Sequence, residues 1–592
     1  MNTITERIQS LICSNKDYYT KIAIVAADES KGLCESFRDR ADWVSGWAHA
    51  FVCPNCAAKM VFDESLSYSP PNDFICENCG KISSSTALDE AWVYYYRITV
   101  ASRLESSAVC ALLGDEEALH FLERYFDFYA DNYDGFAIHG HGNGKIMPQI
   151  LDEAVWCILV LRALYPCRKL FSLEKRNKWF KKLFYPLVKL IDAPEHQWGI
   201  HNHVLWHKCA VGAVGLCFDD QTLLTEALEG PLGIWEQVTQ GFNEDYFWFE
   251  GSPLYHYYSL EALTGFCQFL EDQIPNHPLM AILEKAYIAP LLLSYDGWQI
   301  PSINDGWYPL TLDRFADQIH RAAMCIHSDA LLQQMDHIRK HNPKAIATPG
   351  SLLIDRVPDI VKLWTASNLA IIKFPFHAIL KSGSIAESHR HRDYLSLIIP
   401  PFSNDLGTPG YGHELYQSWY VLAASHNTVT IDFDQPHEII STHIEKVDGG
   451  VRAVVDSGWS DVISASRTLT TSNNTLYDLT EISCADDHTI DWIFHTEGAA
   501  KFSAAPSKSA FIGDRCGYEY FTDVYRLDCD NLTAEFTLND YTLFLTVDTS
   551  QFETFIAKTP GNPATVKRTA LIFRSKGKYT VFNVAYTLGK KI

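Results

Sequence analysis

Three short stretches between residues 388 and 432 gather ionisable side chains within apolar runs. They are SHRHRDYLSL, SNDLGTPGYG and ASHNTVTID, and they supply His389, His391, Asp393, Asp405, Tyr411 and His426. On an extended strand side chains alternate, so His389, His391 and Asp393 are expected on one face. Two imidazoles and a carboxylate, with a water position left over, make a site for Zn²⁺ or Mn²⁺. His391, Asp405 and His426 form such a trio. Any one of these histidines alone reads as an ordinary surface or core residue. Six such residues punctuating apolar strands read as a site.

A second metal chemistry is written in the cysteines. CPNC holds Cys53 and Cys56, and CENCG holds Cys76 and Cys79. Each Cys-x-x-Cys turn presents two thiolates, and two such turns close a tetrahedron, so a structural zinc site is expected. Four thiolates leave no open position for catalysis. Sixteen cysteines in 592 residues is not the density of a disulfide scaffold.

Two further polar stretches lie among helical text. WGIHNHVLWH carries His201, Asn202, His203 and His207, and FNEDYFWFEGSPLYHYYSL carries Glu250 and Tyr255 to Tyr258 around His256. Pro253 suits the first turn of a helix, so one is expected to start at Ser252–Pro253. Taken alone, each stretch reads as helix packing.

These groups must be positioned by two kinds of element. Residues 1–45 read as helical, with apolar residues at helical spacing in ITERIQSLI. From about 88 to 345, segments such as DEAVWCILVLRALY and LWHKCAVGAVGLCF carry apolar residues three and four apart, separated by short turns. Many antiparallel helices in succession predict a toroid or solenoid of helical hairpins. Beyond HNPKAIATPGS (341–351), alternating β-branched runs take over, among them LAIIKF, NTVTIDF, YTLFLTVD and YTVFNVAYTL. They predict an antiparallel β-sandwich. The expected organisation is α+β: 1–87 with the zinc insert at 53–79, a helical domain at 88–350, and a sandwich at 351–592.

Composition bounds the function. Apolar residues at 47% and charged residues at 20% are those of a folded globular chain. Aromatic residues at 13% could serve as sugar platforms, but large cores use them too. A formal charge of −23 argues against a nucleic-acid partner. No run of about 18 apolar residues offers a membrane span. The first residues, MNTITERIQSLICSNKDYY, lack the apolar stretch of a signal peptide, so the chain as given reads as cytoplasmic; a leader removed beforehand would make it periplasmic or secreted. A homodimer is left open.

Together the motifs resemble the heparinase II/III-type polysaccharide lyases and their alginate and oligoalginate lyase kin. The matching residues are Asn202-His203, EGSPLYH at 250–256, HRHRD at 389–393, DLG at 405–407, HNT at 426–428, and PQILDEA at 148–154 with Gln149 and Glu153. The resemblance covers about 145 to 500. It implies an incomplete (α/α) toroid followed by an antiparallel β-sandwich, with the active site in the cleft between them. Arg390 stands where many relatives have glycine.

What the resemblance implies for chemistry is β-elimination on a uronic-acid-containing polysaccharide. The C5 proton of a uronate is very weakly acidic while its carboxylate is charged, so the enzyme must neutralise that carboxylate. Asn202 and His203 suit that role. An acid must protonate the leaving oxygen and a base must take the proton. Tyr255 is the candidate acid and, for one uronate epimer, also the base; His389 is the base for the other, and Tyr411 assists. A tyrosine base needs a lowered pKa, which histidines or the metal could supply. Tyr257 competes with Tyr255, the choice resting on the Pro-x-Tyr-His match. The metal on His391, Asp405 and His426 would brace the segment carrying His389. The substrate is a polyanion, so the cleft must be locally positive within an acidic protein. Lys145, Arg390 and Arg392 are assigned to that patch, and Gln149, Glu250 and Tyr258 to substrate contact.

Within this reading glycosaminoglycans of the heparan, hyaluronan or chondroitin type, or their oligosaccharides, are expected, with exo action. Alginate is the alternative. A non-catalytic carbohydrate-binding protein would keep the aromatics without needing Asn202, Tyr255 and His389 together. A metal-dependent hydrolase would need a metal-bound water facing substrate.

Overall fold

The computed structural model of the protein describes residues 16–66, 70, 73–140, 142–192, 198–291, 293–294, 299–341, 361–373, 376–508, 512–539 and 541–590. ITERIQSLI, expected as a helix, lies outside them, as does all of HNPKAIATPGS after His341. The chain divides into two compact units. One comprises Met1–Gly241, Tyr258–Leu283 and Met324–His327; the other comprises Phe242–Tyr257, Glu284–Ala323 and Ser328–Ile592. The second therefore takes in stretches before residue 350 that periodicity alone assigns to the helical domain. No helix among the described residues is long and apolar enough to cross a membrane.

The first unit is built of helices whose starts are written in the sequence. Ser85 caps Thr86–Leu112, Asp115 caps Glu116–Asn132, Ser172 caps Leu173–Trp179 and Asp220 caps Gln221–Glu229, each side-chain oxygen accepting a backbone N–H of the first turn. Helix Lys16–Ser36 packs on Thr86–Leu112, which packs on Ile150–Cys167, which packs on Asn202–Phe218. Asn202–Phe218 is buried on nearly all sides, as its apolar composition requires. Gly212 and Gly215 permit this: a Cβ would lie 2.7 Å from the Phe266 ring at the first and 2.8 Å from the Leu224 nitrogen at the second.

In the second unit LAIIKF, NTVTIDF, YTLFLTVD and YTVFNVAYTL each contain or form part of a strand. A four-stranded antiparallel sheet comprises Val361–Trp364, Leu369–Ile372, Ala378–Lys381 and Ser396–Ile398. A twelve-stranded antiparallel sheet is organised around two long partners, Thr475–Thr496 and Lys567–Lys590. Period-two alternation gives the smaller sheet two buried faces. Ala370, Ile372, Leu380 and Leu397 share a core with Leu469, Ile482, Trp492 and Phe573 of the larger sheet. Leu369, Ile371, Ile379 and Ile398 pack instead on Phe247, Ala289, Leu293 and Ile303. That second face explains why helical-domain text joins the β unit. The predicted fold class, an incomplete toroid followed by an antiparallel sandwich, stands.

Candidate active site and metal centres

The organising residue of the second unit is one that motif reading passed over. Asp305, in the loop PSINDGW, is buried and gathers hydrogen bonds from four side chains. Tyr416 donates to it at 3.0 Å, Tyr411 at 3.1 Å, His389 through Nδ1 at 3.1 Å and His391 through Nε2 at 3.2 Å. Burial pulls the Asp305 carboxyl upward, but the two imidazoles outweigh it and hold the pKa at about 2. Asn304 beside it, in the left-handed conformation (φ 57°), accepts from Lys381 and from the His391 backbone and donates to the Gly251 carbonyl. Gly407 (φ 54°) lies so close to Gly306 that no Cβ would fit between them, and Thr408 N donates to the Gly306 carbonyl at 2.8 Å.

An ionised carboxylate only accepts, so Asp305 dictates where its neighbours keep their protons. His389 carries its proton on Nδ1, leaving Nε2 with a lone pair; its side chain is 17% exposed. His391 carries its proton on Nε2, leaving Nδ1 with a lone pair. One buried carboxylate thus fixes opposite tautomers on the two rings, leaving a lone pair on Nε2 of one and on Nδ1 of the other.

Tyr255, near the start of helix Pro253–Gln273, stacks its ring on His389 with centroids 3.4 Å apart and planes at 14°. Its hydroxyl hydrogen-bonds Tyr411, which in turn lies 2.8 Å from His389 Nδ1. Burial, then the charge of Asp305, push the Tyr255 phenol well above its ordinary value. The lowered phenol expected of a tyrosine base is therefore not present in the free site; Tyr255 rests protonated. Tyr257 is a different residue. It is fully buried, lies flat on Phe315 at 4.0 Å, and its hydroxyl has no hydrogen-bond partner among the described residues.

His389, His391 and Asp393 do not lie on a strand as expected. They occupy an irregular segment before Ser396–Ile398, with His389 in the left-handed conformation (φ 57°). Strand alternation gives way because the three side chains are recruited in different directions: His389 and His391 to Asp305, and Asp393 to the buried Lys381 at 2.6 Å.

His391, Asp405 and His426 converge, with ligand atoms all within 4.8 Å of one another. His426 Nδ1–H donates to the Leu422 carbonyl at 2.9 Å, so its Nε2 bears a lone pair. That nitrogen faces His391 Nδ1 at 3.2 Å and Asp405 Oδ1 at 3.5 Å. Two imidazole lone pairs face to face beside a carboxylate repel unless a cation lies among them. Asp405 Oδ2 is buried without a hydrogen-bond partner among the described residues, a further acceptor for such a cation. Burial disfavours charge on His426, yet Asp393 and Asp405 raise its pKa. The donor set fits a divalent ion of the Zn²⁺ or Mn²⁺ type.

The four cysteines also converge. Cys53 and Cys79 sulfurs are 3.7 Å apart, and Cys56 and Cys76 sulfurs 3.6 Å. These distances are too long for a disulfide and close to the edge, about 3.8 Å, of a tetrahedron with Zn–S arms of about 2.3 Å. The knuckles are near copies. Ala57 (φ 60°) donates to Cys53 and Gly80 (φ 68°) to Cys76, both at 2.8 Å, while Asn55 and Asn78 each donate at 3.4 Å to a thiol of the opposite knuckle.

The remaining expected residues are placed as follows. Asn202 and His203 head helix Asn202–Phe218 in the first unit, where His201 caps the His203 N–H. Lys145 lies over the Tyr133 ring, and Gln149 precedes helix Ile150–Cys167. Glu153, of the same motif, gathers backbone N–H groups from Lys145, Ile146 and Met147 and so shapes the loop carrying Lys145 and Gln149. Tyr258 packs on Trp206. Glu250 is buried and accepts the Trp248 indole N–H at 3.0 Å. Arg390 pairs with Glu387 and the His437 carbonyl, and Arg392 with the His437 ring. Reading motifs missed Asp305, Asn304, Lys381 and Tyr416. The one available signal was the Asn-Asp-Gly turn within the mostly apolar stretch QIPSINDGWYPL.

Comparison with known proteins adds sequence and fold relationships. Residues 171–277, which include Asn202-His203 and EGSPLYH, match the alginate lyase family model. An alginate lyase of Stenotrophomonas maltophilia (strain K279a) is 29% identical over 216 residues, 34% of this chain and 29% of that protein, so the matched part is under a third of the relative. The structure of heparinase III superposes with a TM-score of 0.59 at 13% identity, covering 99% of this chain and 92% of that one. Heparan sulfate lyase HepC from Pedobacter heparinus gives 0.57 at 12% identity, covering 99% and 91%. The resemblance to polysaccharide lyases carried by the motifs is borne out, in sequence over part of the chain and in fold over nearly all of it.

Proposed function

We propose that this chain, similar in sequence to an alginate lyase and in fold to heparinase III, cleaves uronic-acid-containing polysaccharides by β-elimination. The observation that carries the reading is the cluster of Tyr255, Tyr411 and His389 around the ionised Asp305. It holds a protonated phenol and an imidazole with a free lone pair in one small site, an acid and a base already in their working forms.

In this reading His389 Nε2 takes the C5 proton of the uronate, and Asp305 stabilises the imidazolium that forms. The C5–H electrons become the C4–C5 double bond, the bond to the 4-linked oxygen breaks, and Tyr255 delivers its proton to that oxygen. After the product leaves, His389 Nε2 gives its proton to water and Tyr255 takes one back from water, while Tyr411, hydrogen-bonded to both, holds the two rings in place. Asn202 and His203, at the positive end of a helix, are assigned to the uronate carboxylate. Lys145 and Gln149 are assigned to substrate contact. A divalent ion held by His391, Asp405 and His426 would fix the His391 ring, and so the far side of Asp305, leaving proton transfer to the side chains. A zinc ion on Cys53, Cys56, Cys76 and Cys79 would hold the two knuckles together.

Two substrate classes are carried forward, each with its own support. The sequence match over 171–277 supports alginate, and the heparan sulfate named for a fold relative is the ground for carrying glycosaminoglycans as the second class. The test is incubation with polymannuronate, heparan sulfate, hyaluronan and chondroitin while following the ultraviolet absorbance of the unsaturated product. Absorbance growing with one substrate supports the reading and names the class. Cleavage without absorbance identifies a hydrolase, and intact substrates throughout identify a binding protein.

A further inference from the structure

The solvent face of the large sheet carries a groove of about 550 Å³ that the proposed reaction does not use. Its floor and walls follow from strand register. Tyr477 pairs with Ala585, Ala585 with Thr546, and Thr546 with Thr533, so these four side chains form one row across strands Thr475–Thr496, Lys567–Lys590, Tyr541–Asp548 and Asn531–Leu538. Asp548 and Asn531 are paired in the adjoining row, and Asn583 lies two residues before Ala585 on its strand. The alternate residues, Leu476, Leu532, Leu545, Val547, Phe582 and Val584, point the other way into the sandwich core. The row in front is thus fixed outward by the core behind it. Alanine at 585 leaves a trough between the larger side chains, and Ser550, Gln551 and Phe552, which follow Asp548, also line it.

The lining has a definite chemistry. Tyr477 is 39% exposed and has no ring partner among the described residues. Asn531, Asn583 and Gln551 are exposed carboxamides with no hydrogen-bond partner among the described residues. Each carboxamide both donates and accepts, the pairing that vicinal sugar hydroxyls require, and a tyrosine face packs on the C–H face of a pyranose. The lining contains no lysine, arginine or histidine, and its only carboxylate is Asp548. A uronate would meet repulsion without a compensating cation.

We propose that this groove is a second carbohydrate-binding site, selective for neutral sugar chains over uronates. It stacks the sugar on Tyr477 and hydrogen-bonds its hydroxyls through Asn531, Asn583, Gln551 and Asp548. Such a site would tether the protein to neutral glycans accompanying an acidic polymer. It rests on the groove alone and stands whether or not the chain is a lyase.

The test is affinity electrophoresis of the full chain in native gels containing mixed-linkage β-glucan, arabinoxylan, galactomannan or polymannuronate. Calorimetry with a hexasaccharide of the retarding polymer follows. The expected result is retardation by at least one neutral polymer, with affinity at least tenfold weaker in Tyr477→Ala and in Asn583→Ala. Tyr477→Phe, which keeps the platform, should bind like the parent, and all three should unfold at the parental temperature. Catalytic turnover on uronate oligosaccharides should be unchanged in each. Absence of retardation by every neutral polymer would overturn the proposal, as would retardation that Tyr477→Ala leaves intact.

Discussion

The rings of Tyr255 and His389 lie almost parallel, 14° apart with centroids 3.4 Å apart, and both reach Tyr411 through hydrogen bonds. One comes from the first turn of a helix and the other from an irregular segment between strands. A residue that belongs to neither motif, Asp305, aligns them.

Asp305→Asn is the sharpest test of that alignment. An amide can donate as well as accept, so it no longer forces the His389 proton onto Nδ1 or the His391 proton onto Nε2. Turnover should fall by about 10²–10⁴ with little change in KM, the usual scale for disabling a positioned acid–base group. Metal content, read by mass spectrometry, should fall as well. A variant with parental turnover and full metal would remove Asp305 from the mechanism.

The two tyrosines that only the Pro-x-Tyr-His match separated in the sequence should behave in opposite ways. Tyr255→Phe should abolish unsaturated product while leaving thermal unfolding unchanged. Tyr257→Phe should keep activity and gain stability, because it deletes a buried hydroxyl that has no partner among the described residues, a group that costs about 1–3 kcal/mol. Loss of activity in Tyr257→Phe with activity kept in Tyr255→Phe would reverse the assignment.

Removing the metal should separate the two centres. Chelation verified by elemental analysis should lower the unfolding temperature, since a bound ion stabilises only the state that assembles its ligands. Cys56→Ser should lose about one zinc equivalent and make residues 53–83 the first site of limited proteolysis. His426→Ala should leave that zinc in place and lose the other ion. An unchanged unfolding temperature after complete removal would end the bracing role.

A pH dependence follows from Asp152, buried and raised to about 7, by burial first and then by Glu153. Its folded pKa lies above the unfolded value of about 3.9, so the folded state binds the extra proton between those limits. That contribution is fully present below the unfolded pKa and is lost as pH rises toward 7. Asp152→Asn has no such proton to lose. Its stability relative to the parent should therefore climb between pH 4 and 7, by up to about 4 kcal/mol, as measured by denaturant unfolding at several pH values. A pH-independent difference would show that Asp152 is not protonated in the folded chain.

Much of this was legible in the chain. The periodicities of DEAVWCILVLRALY and YTVFNVAYTL identified their elements because 3.6-residue and two-residue repeats are local properties of one segment. The cysteine knuckles and the trio of His391, Asp405 and His426 were legible because metal ligands come from few residue types with restricted spacing. The stacking of Tyr255 on His389, the burial of Tyr257 against Phe315 and the central position of Asp305 were not. A carboxylate in a short loop carries no periodicity, and its meaning depends on which distant hydroxyls and imidazoles the fold brings to it. The strand expected through His389 failed for the same reason: alternation describes an isolated strand, and here hydrogen bonds to Asp305 and Lys381 override it. Local periodicity is encoded residue by residue, whereas proton positions in a buried network belong to the whole assembled site, and only the tertiary structure decided them.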